Sequence, residues 1–282
     1  MSSVHQKAAF RRVTLSPLEI GAVVVAVLLV ACAVLPQWLA PHPPLAVSPA
    51  ESFQAPNATH PFGTDDSGRD ILSRVIFGAR ESLTIGLVAT LTGLVFGVAL
   101  GAVAGGSRSR WAAPIRLAAD RLIEALFAFP GLLLALLVIA VRGPGLASIV
   151  IAVTISTAPG YARMVRGGVR RALTSGAVEA ARLQGDRGPR IWSLLVLPEA
   201  LRPVLVLATL GVGHAVILAA ALGFLGLGAP PPAPEWGAML NAGRPYLTQA
   251  WWMTVFPGSM ILLVGLTTTA IGRSLERRGR FA

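Results

Sequence analysis

Lysine, cysteine and charge of either sign are scarce in this chain, and each scarcity excludes something. Lysine occurs once, at Lys7, with no glycine before it in the chain. A P-loop needs a Gly-rich turn followed by Lys and Ser or Thr, because the ammonium has to reach the phosphates. This polypeptide is therefore no P-loop ATPase, and any ATP energy it uses comes from another subunit. Cysteine also occurs once, as Cys32 inside an apolar run, which excludes an intrachain disulfide and a cysteine-based metal site. Charged residues make up only 13% of the 282, against about a quarter in an ordinary soluble domain. What fills the space is apolar: 54% hydrophobic residues, with a mean hydropathy of +0.67. That composition belongs to an all-α, polytopic membrane protein.

Six apolar runs have the roughly 20 residues needed to cross about 30 Å of hydrocarbon. They lie near 17–38, 82–105, 116–141, 146–166, 200–227 and 251–272. They delimit a transmembrane domain at 17–272 between tails at 1–16 and 273–282. The third run is the least clean, because Asp120, Arg121 and Glu124 occupy its first turns. Leu29-Val30-Ala31-Cys32 resembles a lipoprotein cleavage box, but the apolar run continues through Leu35 and five more follow, so a retained first span is expected.

The formal net charge of +11 reads as topology, not as nucleic-acid binding, because the Arg residues sit in short clusters between apolar runs. With the N-terminus inside, only Arg69, Arg74, Arg80, Arg142 and Arg244 of the 24 basic residues fall outside. Positive loops stay cytoplasmic, so both termini are expected in the cytoplasm, together with the polar loop at about 167–198.

The longest external segment, 39–81, begins Pro-rich and irregular. Its second half offers turn and cap residues at Thr64–Ser67 and apolar residues at Ile71, Leu72, Val75 and Ile76, which predicts a short amphipathic helix near 64–77 on the outer membrane surface. The second run carries Gly93, Gly97, Gly101 and Gly105 at four-residue spacing. Such a small-residue stripe lets two helix backbones approach closely in lipid, within the chain or across a subunit boundary.

Ionisable groups at membrane depth are functional candidates by default. Asp120 and Glu124 share a helix face with Arg121 beside them, which favours structural ion pairing or an inner gate contact over acid–base chemistry. His214 is the one histidine inside a run; it reads first as a packing residue and second as a pathway contact, and it is the weak candidate for touching a metal in a chain with no other metal ligand set. His5, His42 and His60 lie in tails or loops and spell no ligand motif.

In the cytoplasmic loop, Thr174 or Ser175 can cap a short helix through Leu183, Gly185 can end it, and Pro189 can start a second helix running to Leu197 and Pro198. The result is a compact knob bearing Arg182, Arg187 and Arg190. Here the chain resembles the membrane permease subunits of ATP-binding-cassette importers, whose cytoplasmic motif reads EAA, a Gly six residues after the Glu, and an apolar residue with Pro near its end. Glu179, Ala180, Ala181, Gly185, Leu197 and Pro198 match it in order. FGTDDSGRD (62–70), PGYARMVRG (159–167), FLGLG (224–228) and PEWGAML (234–240) extend the resemblance to the C-type permeases of dipeptide, oligopeptide and nickel importers. Glu199 stands where such proteins usually carry Asn, and the tail lacks their acidic ending.

The resemblance implies a type I importer permease fold with six spans in a bacterial inner membrane. It also implies a B-type permease partner, two ATPase subunits that hold ATP and Mg, and an extracytoplasmic solute-binding protein, with no catalytic residue and no cofactor in this chain. It makes Glu179, Ala180, Ala181, Arg182, Gly185, Leu197 and Pro198 the coupling element. Asp65, Asp66, Arg69 and Asp70 become candidates for contact with the binding protein. The implied cargo is small peptides; nickel or a metal chelate is the alternative, towards which His214 is the one residue that points. A secondary transporter, lacking any persuasive internal repeat here, is the reading from another class.

Overall fold

The computed structural model describes residues 16–106 and 112–279. The basic residues Lys7, Arg11, Arg12, Arg108, Arg110 and Arg280, and most of the tail at 1–16, lie outside these limits. Among the described residues there is no β-strand, only a single antiparallel bridge between Thr64 and Asp70. The long helices are α1 (Pro17–Val34), α3 (Ile71–Gly105), α6 (Leu146–Leu173), α9 (Leu197–Phe224) and α11 (Trp252–Gly279). Between them lie α2 (Pro36–Leu39), α4 (Ala113–Ala128), α5 (Gly131–Arg142), α7 (Gly176–Leu183), α8 (Gly188–Ile191) and α10 (Trp236–Gly243). Among the described residues five helices are long and apolar enough to cross a membrane, and the bent pair α4–α5 raises the number to as many as six.

Helix α3 organises the bundle. Its 35 residues span about 52 Å at 1.5 Å per residue, and it packs against α6 along its length, with α9, α1 and α4 alongside. The glycine stripe faces α6 within the same chain. A Cβ added at Gly97 would stand 2.6 Å from Tyr161 Cβ, and one at Gly105 would stand 2.8 Å from Val169 Cβ. Glycine is required at these positions by close approach, the small-residue packing expected in lipid. Helix α1 differs: only Ala22 and Leu29 are buried, and Val23, Val24, Val27 and Leu28 point outward, the all-round apolar surface of a helix bathed in lipid.

Four expectations are corrected. No separate amphipathic helix occupies 64–77: residues 64–70 form a tight turn, and the helix that starts at Ile71 runs without a break into the second span. Its apolar residues Ile71, Val75 and Ile76 are buried by protein and do not lie on a membrane surface. The third span is not one helix, because α4 and α5 are bent by 99°. Phe129, before Pro130, is extended (φ −86°, ψ 137°), since the pyrrolidine ring disfavours helical backbone at the preceding residue. The second short helix of the polar loop does not stop at Leu197–Pro198 but continues through a π-helical stretch, Trp192–Val196, into α9. Finally, α11 extends through Gly279, so most of the expected tail at 273–282 prolongs a helix.

The bundle therefore has two ends about 50 Å apart along α3. One, the loop pole, gathers residues 40–70, the start of α3 and α10. The other, the knob pole, gathers the end of α6 with α7 and α8.

Candidate functional site

At the knob pole, Ser175 caps α7 by accepting a hydrogen bond from the Val178 N–H at 3.4 Å. Val178 and Ala181, three residues apart, are buried against the bundle with Ile191 and Val196. The helix ends in a Schellman motif: the Asp186 N–H donates to the Ala181 carbonyl and the Gly185 N–H to the Arg182 carbonyl, each at 3.0 Å, with Gly185 at φ +83°. Pro189 opens α8, and Arg190 lies 3.3 Å from Asp186, bracing the turn. The π-helical stretch has a local cause: Pro198 has no N–H and its ring crowds the preceding turn, and just before it the chain widens so that the Leu197 N–H donates to the Trp192 carbonyl, five residues back.

What this frame leaves outward is the predicted coupling set. Glu179, Ala180, Arg182, Gly185 and Pro198 are exposed, whereas Ala181 is an inward anchor and Leu197 is half-buried. Leu183, at the tip, is 85% exposed, a lone large apolar side chain on a polar knob. Behind it Asp120 is clamped by Arg166 at 2.9 Å and Arg170 at 2.6 Å, and Glu124 lies 3.6 Å from Arg166. Arg163 stacks over Phe127 at 4.7 Å. These contacts fasten α4 to α6 immediately before the knob, so Asp120 and Glu124 are placed as structural ion partners. A cavity of about 340 Å³, lined by Gly105, Gly106, Arg116, Asp120, Arg170, Leu173 and Thr174, opens beside them.

The loop pole is built from side chain to backbone bonds. Asp65 Oδ1 accepts from the Ser67 and Arg69 N–H groups, both at 2.9 Å. Thr64 Oγ1 accepts from the Gln54 N–H at 2.8 Å, and the Trp252 indole N–H donates to the Thr64 carbonyl at 2.9 Å. Asp70 caps α3, with Oδ2 accepting from the Ser73 N–H and hydroxyl at 2.7 and 2.6 Å and Oδ1 2.9 Å from His60 Nδ1. Of the four residues expected to contact a binding protein, Asp65 and Asp70 are therefore turned inward, because a buried carboxylate has to be hydrogen-bonded. Asp66 is exposed and Arg69 half-buried; with Arg74, Asn241 and Tyr246 they line a cleft of about 310 Å³ between the 64–70 turn and α10.

Sequence reasoning missed the centre of this pole. Glu235 caps α10 from a fully buried position, accepting from the Gly237 and Ala238 N–H groups at 2.8 Å and from the Ser82 hydroxyl at 3.3 Å. Burial pushes its carboxyl above the ordinary range, and these donors oppose the rise. Trp236 beside it is fully buried and donates to the Val75 carbonyl at 3.0 Å. The PEWGAML pattern marked both residues, but nothing local to it reveals that Val75 and Ser82 are their partners. His42 and His60, set aside in the sequence as loop residues, meet at Asp70, whereas His214 is exposed on α9.

Comparison with known proteins agrees with this architecture. Residues 82–281 match the family described as "Binding-protein-dependent transport system inner membrane component". The chain is 41% identical over 263 residues to the "Di/tripeptide transport system permease protein DppC" of Pseudomonas aeruginosa, covering 91% of this chain and 86% of that protein. It is 37% identical over 279 residues to the "Glutathione transport system permease protein GsiD" of Pectobacterium atrosepticum, covering 95% and 88%. Among solved structures, the inward-facing MetNI methionine ABC transporter superposes with a TM-score of 0.57 at 23% identity over 73% of this chain and 97% of that one. An amino acid ABC transporter determined with histidines gives 0.60 at 20% identity over 73% and 94%. At these identities the structural likeness is one of fold, which the two ABC transporters share with this bundle. The chain is a multi-pass membrane protein that belongs to the family of binding-protein-dependent transport system inner membrane components, the permease subunits of ABC importers.

Proposed function

We propose that this chain forms half of the translocation pathway of an ATP-driven importer for short peptides in a bacterial inner membrane. The second half is a B-type permease, an extracytoplasmic binding protein delivers the peptide, and two ATPase subunits bind ATP and Mg. The observation that carries the proposal is the knob: a helix pair, capped at α7 by Ser175, anchored by Val178, Ala181, Ile191 and Val196 and continuous through α8 with the α9 span, that presents Glu179, Arg182 and Leu183 to solvent. Force applied at α8 passes directly into the membrane span, because α8, the π-helical stretch and α9 run as one continuous helix from Gly188 to Phe224. In this reading the knob pole faces the cytoplasm and the loop pole faces outward, where Asp66, Arg69 and the cleft beside α10 meet the binding protein. The peptide cargo is supported by the names of the relatives, which include di/tripeptide and glutathione permeases.

The test is uptake of a labelled dipeptide by cells carrying the complete transporter, with and without Glu179→Lys in this chain. Loss of uptake with the complex still in the membrane is expected. Uptake that survives the charge reversal removes the coupling role, and uptake of radioactive nickel in place of dipeptide removes the cargo.

A further inference from the structure

Four side chains from the irregular 40–70 segment and the first residue before α3 converge at the loop pole. His60 Nδ1 lies 2.9 Å from Asp70 Oδ1, and His42 Nδ1 lies 3.8 Å from Asp70 Oδ2. One ligand atom from each of these three residues can be chosen so that all lie within 4.8 Å of one another. Glu51 Oε2 lies 3.9 Å from His60 Nε2, on the other edge of that ring. His60 and Asp70 are 5% and 3% exposed, and the Nδ1 atom of His42 is buried with no hydrogen-bond partner.

We propose that His42, His60 and Asp70 bind a divalent transition-metal ion of the zinc and nickel class, and that the bound ion staples residues 40–70 to the N-terminus of α3. The donor set selects the metal. Two imidazoles and one carboxylate suit zinc, nickel or copper, whereas calcium and magnesium ask for six or more oxygens. A tetrahedral ion with bonds of about 2.1 Å puts its ligands roughly 3.4 Å apart. The distances of 2.9 and 3.8 Å to Asp70 bracket that value, the three ligand atoms lie within 4.8 Å of one another, and an inward swing of His42, whose side chain is 36% exposed, closes the set. The orphaned His42 nitrogen is the second line of support: a buried ring nitrogen without a partner costs free energy, and an ion at this point supplies one.

The proton inventory also closes. Without an ion, the 2.9 Å contact between His60 Nδ1 and Asp70 Oδ1 is a hydrogen bond that the ring donates in the tautomer with its proton on Nδ1. With the ion, the ring takes the other neutral tautomer: Nδ1 offers its lone pair to the metal, and Nε2–H turns towards Glu51. A carboxylate on the far side of a ligating histidine is the usual outer partner that fixes tautomer and ring orientation. The surrounding charge favours a dication, since Glu51, Asp65, Asp66 and Asp70 outnumber Arg69 and Arg74 by two negative charges. Arg74 is directed elsewhere, to the Pro44 and Pro232 carbonyls at 3.3 Å and to Asp65 at 3.7 Å. This inference does not rest on the cargo: none of the ligands lies on α9 beside His214, and the site holds with any substrate.

The experiment is a zinc titration of the chelator-stripped transporter complex, read by elemental analysis after gel filtration, with the His42→Gln complex measured alongside. His42→Gln spares the buried His60–Asp70 pair, and an unchanged gel-filtration profile confirms that it folds. The expected result is one zinc per copy of this chain at low micromolar free ion, weakened at least tenfold by His42→Gln and by about tenfold or more by Glu51→Gln. Cobalt in place of zinc is expected to give the visible band of a tetrahedral nitrogen–oxygen site that His42→Gln abolishes. Zinc should also slow proteolysis of the 40–70 segment in the native complex and leave the variant unaffected. Zinc binding that is identical in His42→Gln, or no stoichiometric binding in the native complex, overturns the site; binding without any protection of the segment overturns the staple.

Discussion

The two poles of this bundle are made by opposite means. The knob is a short-range construction in which Ser175 caps, Val178 and Ala181 anchor, and Gly185 turns, all within eleven residues. The loop pole is a long-range one: the Trp236 indole reaches Val75 across 161 positions, and the Trp252 indole reaches Thr64 across 188. The knob is thus shaped mainly by contacts between near neighbours in the chain, and the loop pole by contacts that tie it to α3, α10 and α11. Damage to the loop pole should unfold the protein, and damage to the knob should silence it.

The largest effect is expected from Trp236→Ala. The indole is fully buried, and its loss removes the packing that joins α10 to α3 as well as a hydrogen bond. Removing a large buried aromatic costs about 3–5 kcal/mol. The apparent unfolding temperature in detergent should fall by many degrees and membrane levels should drop with it; a well-folded Trp236→Ala chain would mean that the loop pole is not held together through α10. Asp65→Ala comes next. Two turn N–H groups lose their acceptor, and a hydrogen bond to a charged group is worth about 1.5–3 kcal/mol. The same unfolding measurement, together with faster proteolysis confined to 40–70, checks it.

The same division explains how much of the molecule is legible in its sequence. Helix α7 of the knob is legible almost residue by residue, because capping, apolar spacing and a Gly in the left-handed region act on neighbours, whereas the π-helical run that joins α8 to α9 is not. The loop pole was not: Thr64–Ser67 and Ile71–Ile76 were identified as turn and helix, but the helix was placed on the membrane because the partners that bury it, Trp236 among them, are far off in the chain. His42 and His60 were dismissed for the same reason, since an irregular backbone has no period that brings two distant rings to one carboxylate. The bend at Pro130 is a different failure. The length and hydropathy of 116–141 read as one span, and the geometry shows α4 and α5 leaving Phe129 at 99°.

On the knob, Gly185→Val sharpens the contrast. A Cβ at this position meets nothing within 4 Å, so the whole penalty is conformational, from φ +83°. A left-handed backbone costs a residue with a side chain about 1–2 kcal/mol, and a β-branched one sits at the upper end. The expected outcome is a small fall in unfolding temperature, normal membrane insertion and a loss of uptake larger than the stability change explains, because the Schellman turn sets the direction in which α8 leaves α7. Equal losses of stability and uptake in Gly185→Val would erase the distinction between the poles.

Leu183→Asp should change stability least and discriminate most. The side chain is 85% exposed and touches no buried cluster, and substitutions at such positions normally stay within about 0.5 kcal/mol. If α7 seats in a groove of an ATPase subunit, that leucine is the large exposed apolar group α7 offers, and a carboxylate there has to be desolvated without a partner. A few fully desolvated residues carry most of the energy of an interface. The complex should then lose its ATPase subunits on purification, with a drop in uptake of at least tenfold, while this chain remains folded at an unchanged unfolding temperature. The neighbouring Arg190→Ala, which removes an exposed ion pair with Asp186 worth less than about 1 kcal/mol, serves as the matched control and should leave assembly intact. Loss of assembly in both variants would place the docking energy in the charge of the knob; loss in Leu183→Asp alone places it at the tip of α7.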